Sequence, residues 1–336
     1  MSSAPLAGSR PGSVRYGHFD DPVGAIRAHD FVLRSPMGSV VSDSERDAAF
    51  RSFQFMGAVS DELATGCAVT STSAGLTAFA YLWADGQFHD LRLSGREGDV
   101  AVFAVDPDDG TTQLETSRGS VEMSASAGGG KRLVVESDSV SIDLSFSDSD
   151  VDILRLCTPT GPTGWAYVQK VAAVPAAGTA SAGDITVSLT AFDAQAHHDY
   201  TTGFLRPETW WHWACIAARL ADGRRLGLNL SCGTNESGYR ENGGWIDDRW
   251  FALDGVIFDF DPDRIEDPWR IQATDGSLDL TFRPGHGYHA RHDSPSLGTN
   301  FHQLFGEFTG WVDLPDSERI SIDGLPGFTE SQYLRW

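Results

Sequence analysis

Lysine is nearly missing from this chain. Lys+Arg totals 25, yet Lys131 and Lys170 are its sole lysines, and against 47 acidic residues the formal net charge is −22. A surface of that sign repels DNA, RNA and anionic lipid, which argues against nucleic-acid partners and favours solubility. Cysteine is scarce as well. Cys67, Cys157, Cys215 and Cys232 form no CxxC pair, so a zinc site of the usual spacing is not expected. They lie in apolar strand-like stretches, as buried structural thiols do. No apolar run approaches the roughly 20 residues of a membrane-spanning helix, so no membrane insertion is expected. The opening MSSAPLAGSRPGSVRYG lacks the apolar region of a signal peptide, and a cytoplasmic location follows by default. There is no GxSxG elbow, no P-loop and no GxGxxG opening a helix after a strand. α/β-Hydrolase, nucleotide-hydrolysing and dinucleotide chemistries are thereby disfavoured. No cofactor is implied.

What the chain has in quantity is apolar alternation. With 336 residues, 40% hydrophobic and 11% aromatic, it exceeds the roughly 250–300 residues at which one core stops growing, so two domains are expected. Short alternating segments such as Phe50–Val59, Gly75–Trp83, Val100–Val105, Ser120–Ala125, Arg132–Glu136 and Val140–Phe146 are separated by turn sequences such as PDDG, AGGGK and SDSD. That pattern predicts an all-β fold of antiparallel strands, sandwich or barrel, without βαβ units. Helix is expected in short pieces near Asp61–Thr65 and Thr329–Leu334. Residues 1–20, rich in Ser, Gly and Pro, read as a flexible tail. The stretch VAAVPAAGTASAGDI, at 171–185, suits either a domain crossing or a long hairpin. The expected division is 21–185 for an N-terminal β domain and 186–336 for a C-terminal one. In the latter, Trp210–Leu220 and Leu226–Cys232 read as a hairpin turning at Asp222–Gly223.

The second half also concentrates the unusual residues. Eight of the 10 tryptophans lie beyond position 200. Alternate strand residues share a face, so Trp211 and Trp213 point one way and Trp210 and His212 the other. They suit either a strand buried on both sides or the wall of an apolar site. The run HHDYTTGFLRPETWWHWAC places His197, His198, Asp199, Tyr200 and Arg206 before that strand. In apolar surroundings Asp199 suits a general acid; paired with Arg206 it becomes a structural ion pair. Adjacent His197 and His198 face opposite sides and do not chelate together, and no metal site is expected. The segment HGYHARH, His286 to His292, reads as a solvated loop. Asn229 and the Gly-rich CGTNESGYRENGGW bring Asn235 and Glu236 as polar binding or acid–base groups, or as turn formers. His302, in FHQLFGEFTG, is a candidate base near neutral pH or a hydrogen-bonded core residue.

The ordered set DYTTGFLRPETWWHWACIAARLADGRRLGLNLSCGTNE, WFALDGVIFDFD, PWRIQATDGSLDLTF, FHQLFGEFTGWV and IDGLPGFTESQYLRW resembles the bacterial domain of unknown function 2804. The resemblance runs from about residue 195 to the C-terminus, and more weakly over residues 53–86. That family is in turn similar to carotenoid 1,2-hydratase (hydroxyneurosporene synthase) and AttH-like proteins, whose fold is also used by decalin-forming pericyclases. The resemblance implies two tandem lipocalin-like β-barrels and acid chemistry on a double bond beside an apolar pocket between them, with Asp199 the position carried over. Residues 105–165 match poorly, and His197–His198 departs from the family pattern. The reading is a cofactor-independent enzyme for a hydrophobic isoprenoid, polyketide or fatty-acid-like molecule, catalysing hydration, dehydration, isomerisation or cyclisation. In it Asp199 is the acid, and Glu236 or His302 its partner. Tyr200 and Arg206 orient the substrate; Trp211, Trp213, Asn229, Asn235 and His198 line it. Its rivals are a non-catalytic carrier of a lipid-like ligand, with fewer ionisable groups inside, and a glycan-active β-sandwich.

Overall fold

A computed structural model describes residues 6–235, 238–294 and 297–336. The chain divides into two compact units, residues 1–58 with 62–206, and residues 59–61 with 207–336. Each is built from antiparallel strands, as the alternation predicts. Among the described residues no helix is long and apolar enough to cross a membrane.

The first unit holds two sheets. The eight-stranded one runs, in spatial order, Gly17–His18, Leu154–Thr160, Gly164–Pro175, Gln195–Phe204, Arg51–Val59, Leu63–Thr72, Gly75–Ala84 and Gln87–Ser94. The seven-stranded one runs Ile185–Ser188, Ala177–Ala182, Ser141–Ser147, Gly130–Glu136, Gly119–Ala125, Gly110–Thr116 and Val100–Val102. Strands of the second sheet bury alternate residues: Ile142, Leu144 and Phe146 point inward from SIDLSFS while their neighbours meet solvent. The centre of the first sheet differs. All ten residues of Gln195–Phe204 are buried, and so are all but the last of Gly164–Pro175. Such strands are covered on both faces.

The second unit is one nine-stranded sheet: Arg249–Ala252, Gly243–Ile246, Arg225–Cys232, Glu208–Arg219, Arg319–Arg335, Leu297–Asp313, Leu278–Ser294, Trp269–Ala273 and Val256–Asp259. Its core gathers Ile216, Leu228, Leu230, Leu280, Phe282, Leu304 and Phe308 around fully buried Trp269. The Trp269 indole stacks on Phe260, centroids 3.9 Å apart, and its Nε1 donates to the Ile265 carbonyl at 2.8 Å. Burying an aromatic of this size contributes about 4–6 kcal/mol at ~25 cal/mol per Å². The hairpin expected at Asp222–Gly223 forms, with Gly223 at φ +93°.

Several local expectations are corrected. Residues 6–20 are anchored rather than a loose tail: Leu6 and Phe19 are buried, and Gly17–His18 pairs with Leu156 and Cys157, while most of the residues between stay at the surface. The expected helical pieces at 61–65 and 329–334 are not helices; the latter and most of the former lie in Arg319–Arg335 and Leu63–Thr72, where cross-strand bonding overrides short-range propensity. The helix is Asp43–Ala49, opened by Ser42 and Glu45 in a capping box. HGYHARH is not a loop but part of the strand Leu278–Ser294. The segment 171–185 crosses between the two sheets of the first unit, and the units divide later, after Arg206.

The glycine of DYTTG has a structural reason. Gly203 holds φ +149°, and a Cβ there would stand 2.2 Å from the Trp165 carbonyl oxygen. Gly203→Ala is expected to cost about 2 kcal/mol or more, because both strain and overlap must be relieved. Thermal unfolding followed by circular dichroism checks this; an unchanged midpoint would show that the strand accepts a side chain.

Candidate active site

The fully buried strand Gln195–Phe204 sorts its polar residues by alternation. His197, Asp199 and Thr201 share one face; His198, Tyr200 and Thr202 share the other. Its neighbour Gly164–Pro175 pairs Lys170 with Asp199, Gln169 with Tyr200 and Ala172 with His197. Directly opposed residues point to the same side of a sheet. Lys170 therefore meets Asp199, Nζ to Oδ2 at 3.2 Å, with both side chains less than a tenth exposed. Thr201 Oγ1 donates to the other carboxylate oxygen at 3.0 Å. His197 lies on the same face, packed on the Phe55 ring at 5.0 Å, and Phe55 leads through Tyr81 to Phe79 and Phe88. Burial pushes the His197 imidazole down to about 3, so it is neutral at physiological pH. Beside this row the Gly164–Pro175 strand bulges at Ala173, an alanine held at φ +61°. A non-glycine in that region stores roughly 1–3 kcal/mol of strain, and such residues cluster at functional sites.

The opposite face carries a hydrogen-bond network. His198 Nε2 meets Gln54 Nε2 at 3.1 Å, Thr112 donates to Gln54 Oε1 at 2.7 Å, and the Ala104 amide donates to Thr112. Tyr200 donates to the Ala104 carbonyl at 2.8 Å. Ser52 and Thr202 hydroxyls lie 2.6 Å apart. Gln169 accepts from Tyr167 and donates to Asp108, which also pairs with Arg155 at 3.0 Å. Lys131 stands 3.6 Å from Asp148, both fully buried. Burial raises the Asp148 carboxyl and Lys131 opposes that rise. Burial also lowers His198 far below its ordinary value, with Lys131 and His197 adding repulsion, and raises the Tyr200 phenol.

The residues singled out from the sequence are divided between the two units. Asp199, Tyr200 and His198 share one strand, but Tyr200 and His198 face away from Asp199. The cation beside Asp199 is Lys170. Arg206 follows the end of the strand, whose last residue Phe204 is roughly 16 Å along at about 3.3 Å per residue. Trp211, Trp213 and Asn229 belong to the second unit. Trp213 Nε1 donates to Asn229 Oδ1 at 2.7 Å, and Asn229 Nδ2 donates to the Glu241 carbonyl at 2.6 Å. Trp211 donates to Glu330 at 3.0 Å, and Gln303 donates to the other Glu330 oxygen, also at 3.0 Å. His302 pairs with His289. Asn235 lies in the bend after Arg225–Cys232, and Glu236 lies outside the described residues. Sequence reasoning missed Lys170, Gln54, Thr112 and Glu330 as partners. Lys170 carried a signal, as one of two lysines in a chain that otherwise uses arginine. All four cysteines are free, and burial raises the Cys67 and Cys157 thiols.

Two antiparallel β units in succession, with an ionisable pair at the centre of the first, define an all-β protein of the tandem lipocalin-like class. The match to the family described as domain of unknown function (DUF2804) spans residues 52–336, and the chain belongs to that family. No curated protein matches it in sequence. Among solved structures it is similar to CghA, with 12% identity over 85% of this chain and 88% of that one and a TM-score of 0.55. It is similar also to kievitone hydratase from Nectria haematococca, with 8% identity, 84% and 88% covered and a TM-score of 0.52. An AttH protein of Nitrosomonas europaea covers 84% of this chain and 91% of its own at 12% identity and a TM-score of 0.49. At these identities the likeness is one of fold.

The neutral histidines give the first unit a pH signature. His197 and His198 bind protons in the unfolded chain below about pH 6.5 but not in the folded one, so stability falls as pH drops below that value. Each contributes a limiting slope of about 1.4 kcal/mol per pH unit. His197→Gln is expected to flatten the decline between pH 7 and 5, read from denaturant midpoints. Parallel curves for wild type and variant would contradict neutral burial of His197.

Proposed function

We propose that the chain is an enzyme of the hydratase, dehydratase or isomerase type, cyclisation included, working without a cofactor on a hydrophobic small molecule, with Lys170 and Asp199 as its proton-handling pair. The observation that carries this reading is the ion pair itself. Removing two charges from water costs several kcal/mol per ion, and apolar residues of similar volume usually serve stability as well or better. A buried lysine and aspartate, directly opposed on two strands covered on both faces, suit proton chemistry. The strained bulge at Ala173 and the aromatic row from Phe55 to Phe88 support it, and kievitone hydratase shows that the fold carries a hydratase.

The ion pair changes the role expected of Asp199. A carboxylate 3.2 Å from an ammonium and accepting from Thr201 is a proton acceptor. Lys170 is then the donor. For hydration of a double bond conjugated to a carbonyl, Asp199 takes a proton from water as its oxygen bonds to the far carbon. The electron pair moves to the carbonyl oxygen, which Lys170 stabilises by hydrogen bonding. Lys170 then delivers a proton to the near carbon, and transfer from Asp199 to Lys170 restores the pair. Dehydration is the reverse. Isomerisation uses the same two groups on two carbons of the substrate.

The first experiment is native mass spectrometry of the purified protein with extraction of any bound molecule, followed by turnover of its class in ¹⁸O-labelled water and D₂O. Solvent oxygen or deuterium should enter the product. Asp199→Asn and Lys170→Met should each lower kcat by about 10²–10⁴-fold, the usual contribution of a general acid or base, with the fold retained by circular dichroism. Full activity in both variants would refute the assignment.

A further inference from the structure

The second unit carries a histidine arrangement that the proposed chemistry does not use. His289 and His302 are directly opposed across the hairpin of Leu278–Ser294 and Leu297–Asp313, and their Nδ1 atoms stand 2.7 Å apart. On the far side of the first ring, His289 Nε2 lies 3.1 Å from Glu266 Oε1. A carboxylate is an acceptor, so the His289 tautomer that satisfies it carries the proton on Nε2 and turns the Nδ1 lone pair toward His302. A carboxylate on the remote nitrogen is the recurring support of a metal-binding imidazole, fixing both its tautomer and its orientation. Gly287 contributes by what it lacks: a Cβ there would sit 2.8 Å from His289 Nε2 and 2.8 Å from Leu304 Cδ2. Its absence lets the His289 ring lie back along its own strand toward Glu266.

We infer that His289 and His302 form a two-imidazole site for a divalent first-row transition metal, with Glu266 orienting His289. Two nitrogens at right angles on a metal, each about 2.0–2.1 Å from it, are about 2.9 Å apart; in a tetrahedral zinc site they are about 3.3 Å apart. The 2.7 Å between the two nitrogens is a hydrogen-bond separation that a small opening of the rings converts to either geometry, and Cu(II), which N-donor sites bind most tightly among the divalent first-row ions, is the first probe. Among the described residues no group of three or more His, Cys, Asp or Glu could hold a metal. Water therefore completes the coordination, which the exposure of His289 allows. The net charge of −22 raises the local concentration of cations at the surface.

The test uses tag-free full-length protein titrated with Cu(II), followed by electron paramagnetic resonance and calorimetry, with Ni(II) as a second probe. One equivalent should bind with a spectrum of two equatorial imidazole nitrogens. His289→Gln and His302→Gln should each abolish that spectrum, and Glu266→Gln should weaken binding by about 10-fold or more, the usual effect of losing such a support. Circular dichroism verifies that each variant is folded. Binding that survives both histidine substitutions, or no stoichiometric binding to the wild-type protein, would overturn the site.

Discussion

A lysine taken out of water must meet an anion, and both lysines of this chain do so inside the first unit: Lys170 with Asp199 and Lys131 with Asp148. This requirement governs much of the surrounding structure. Lys170 reaches Asp199 because the strands Gly164–Pro175 and Gln195–Phe204 pair in one register. A slip of one residue would turn Asp199 to the other face, toward the network of Gln54 and Thr112, and leave Lys170 buried without it. Breaking a buried pair typically costs about 3–5 kcal/mol, far more than an ordinary strand contact. The ion pair thus fixes the register of the two most deeply buried strands, and with it the position of every other polar residue on them.

The two faces of Gln195–Phe204 then divide their duties. On one, His198 and Tyr200 are tied, directly or through Gln54 and Thr112, to the amide and carbonyl of a single residue, Ala104. Each group has a geometric role, and the neutral states imposed by burial suit donors and acceptors that hold position. On the other face Asp199 and Lys170 are the charged groups, flanked by a neutral imidazole and an aromatic row. A site for proton transfer benefits from these ties, because they hold the strand that carries Asp199 in place.

The fold was legible because alternation is a local property: SIDLSFS and its like announce a strand covered on one side wherever they occur. The doubly buried strands were harder, since QAHHDYTTGF carries more polar than apolar side chains and gave no sign that all ten positions are covered. The helix at Asp43–Ala49 was announced by Ser42 and Glu45, a capping signal easily lost among the turn residues around it. Within the site, Asp199 was visible as the acid of the polar run HHDYTT that precedes the tryptophan-rich strand. Its partner was not, because the pairing of Lys170 with Asp199 is set by strand register, which sequence spacing does not encode. The same holds for Glu330, which meets Gln303 on the preceding strand and Trp211 on a strand more than a hundred residues earlier. His302 was visible as a polar residue on a strand, but its pairing with His289 depends on the latter being in a strand too, where the pattern HGYHARH suggested a loop.

The identity of the cation beside Asp199 has chemical consequences. An arginine there would lock the carboxylate with a group that gives up no proton, and the pair would be structural or purely electrostatic. Lysine is different: its ammonium is a compact donor whose acidity responds strongly to burial. In a chain that uses arginine almost everywhere, placing lysine at 170 keeps a transferable proton next to an acceptor. On the proposed reading this also narrows the substrate. An ammonium is too weak an acid to protonate an isolated alkene, so the double bond must be conjugated to an oxygen that can take up charge as the proton arrives. A carbonyl-bearing or phenolic skeleton meets that requirement, and a plain hydrocarbon chain does not.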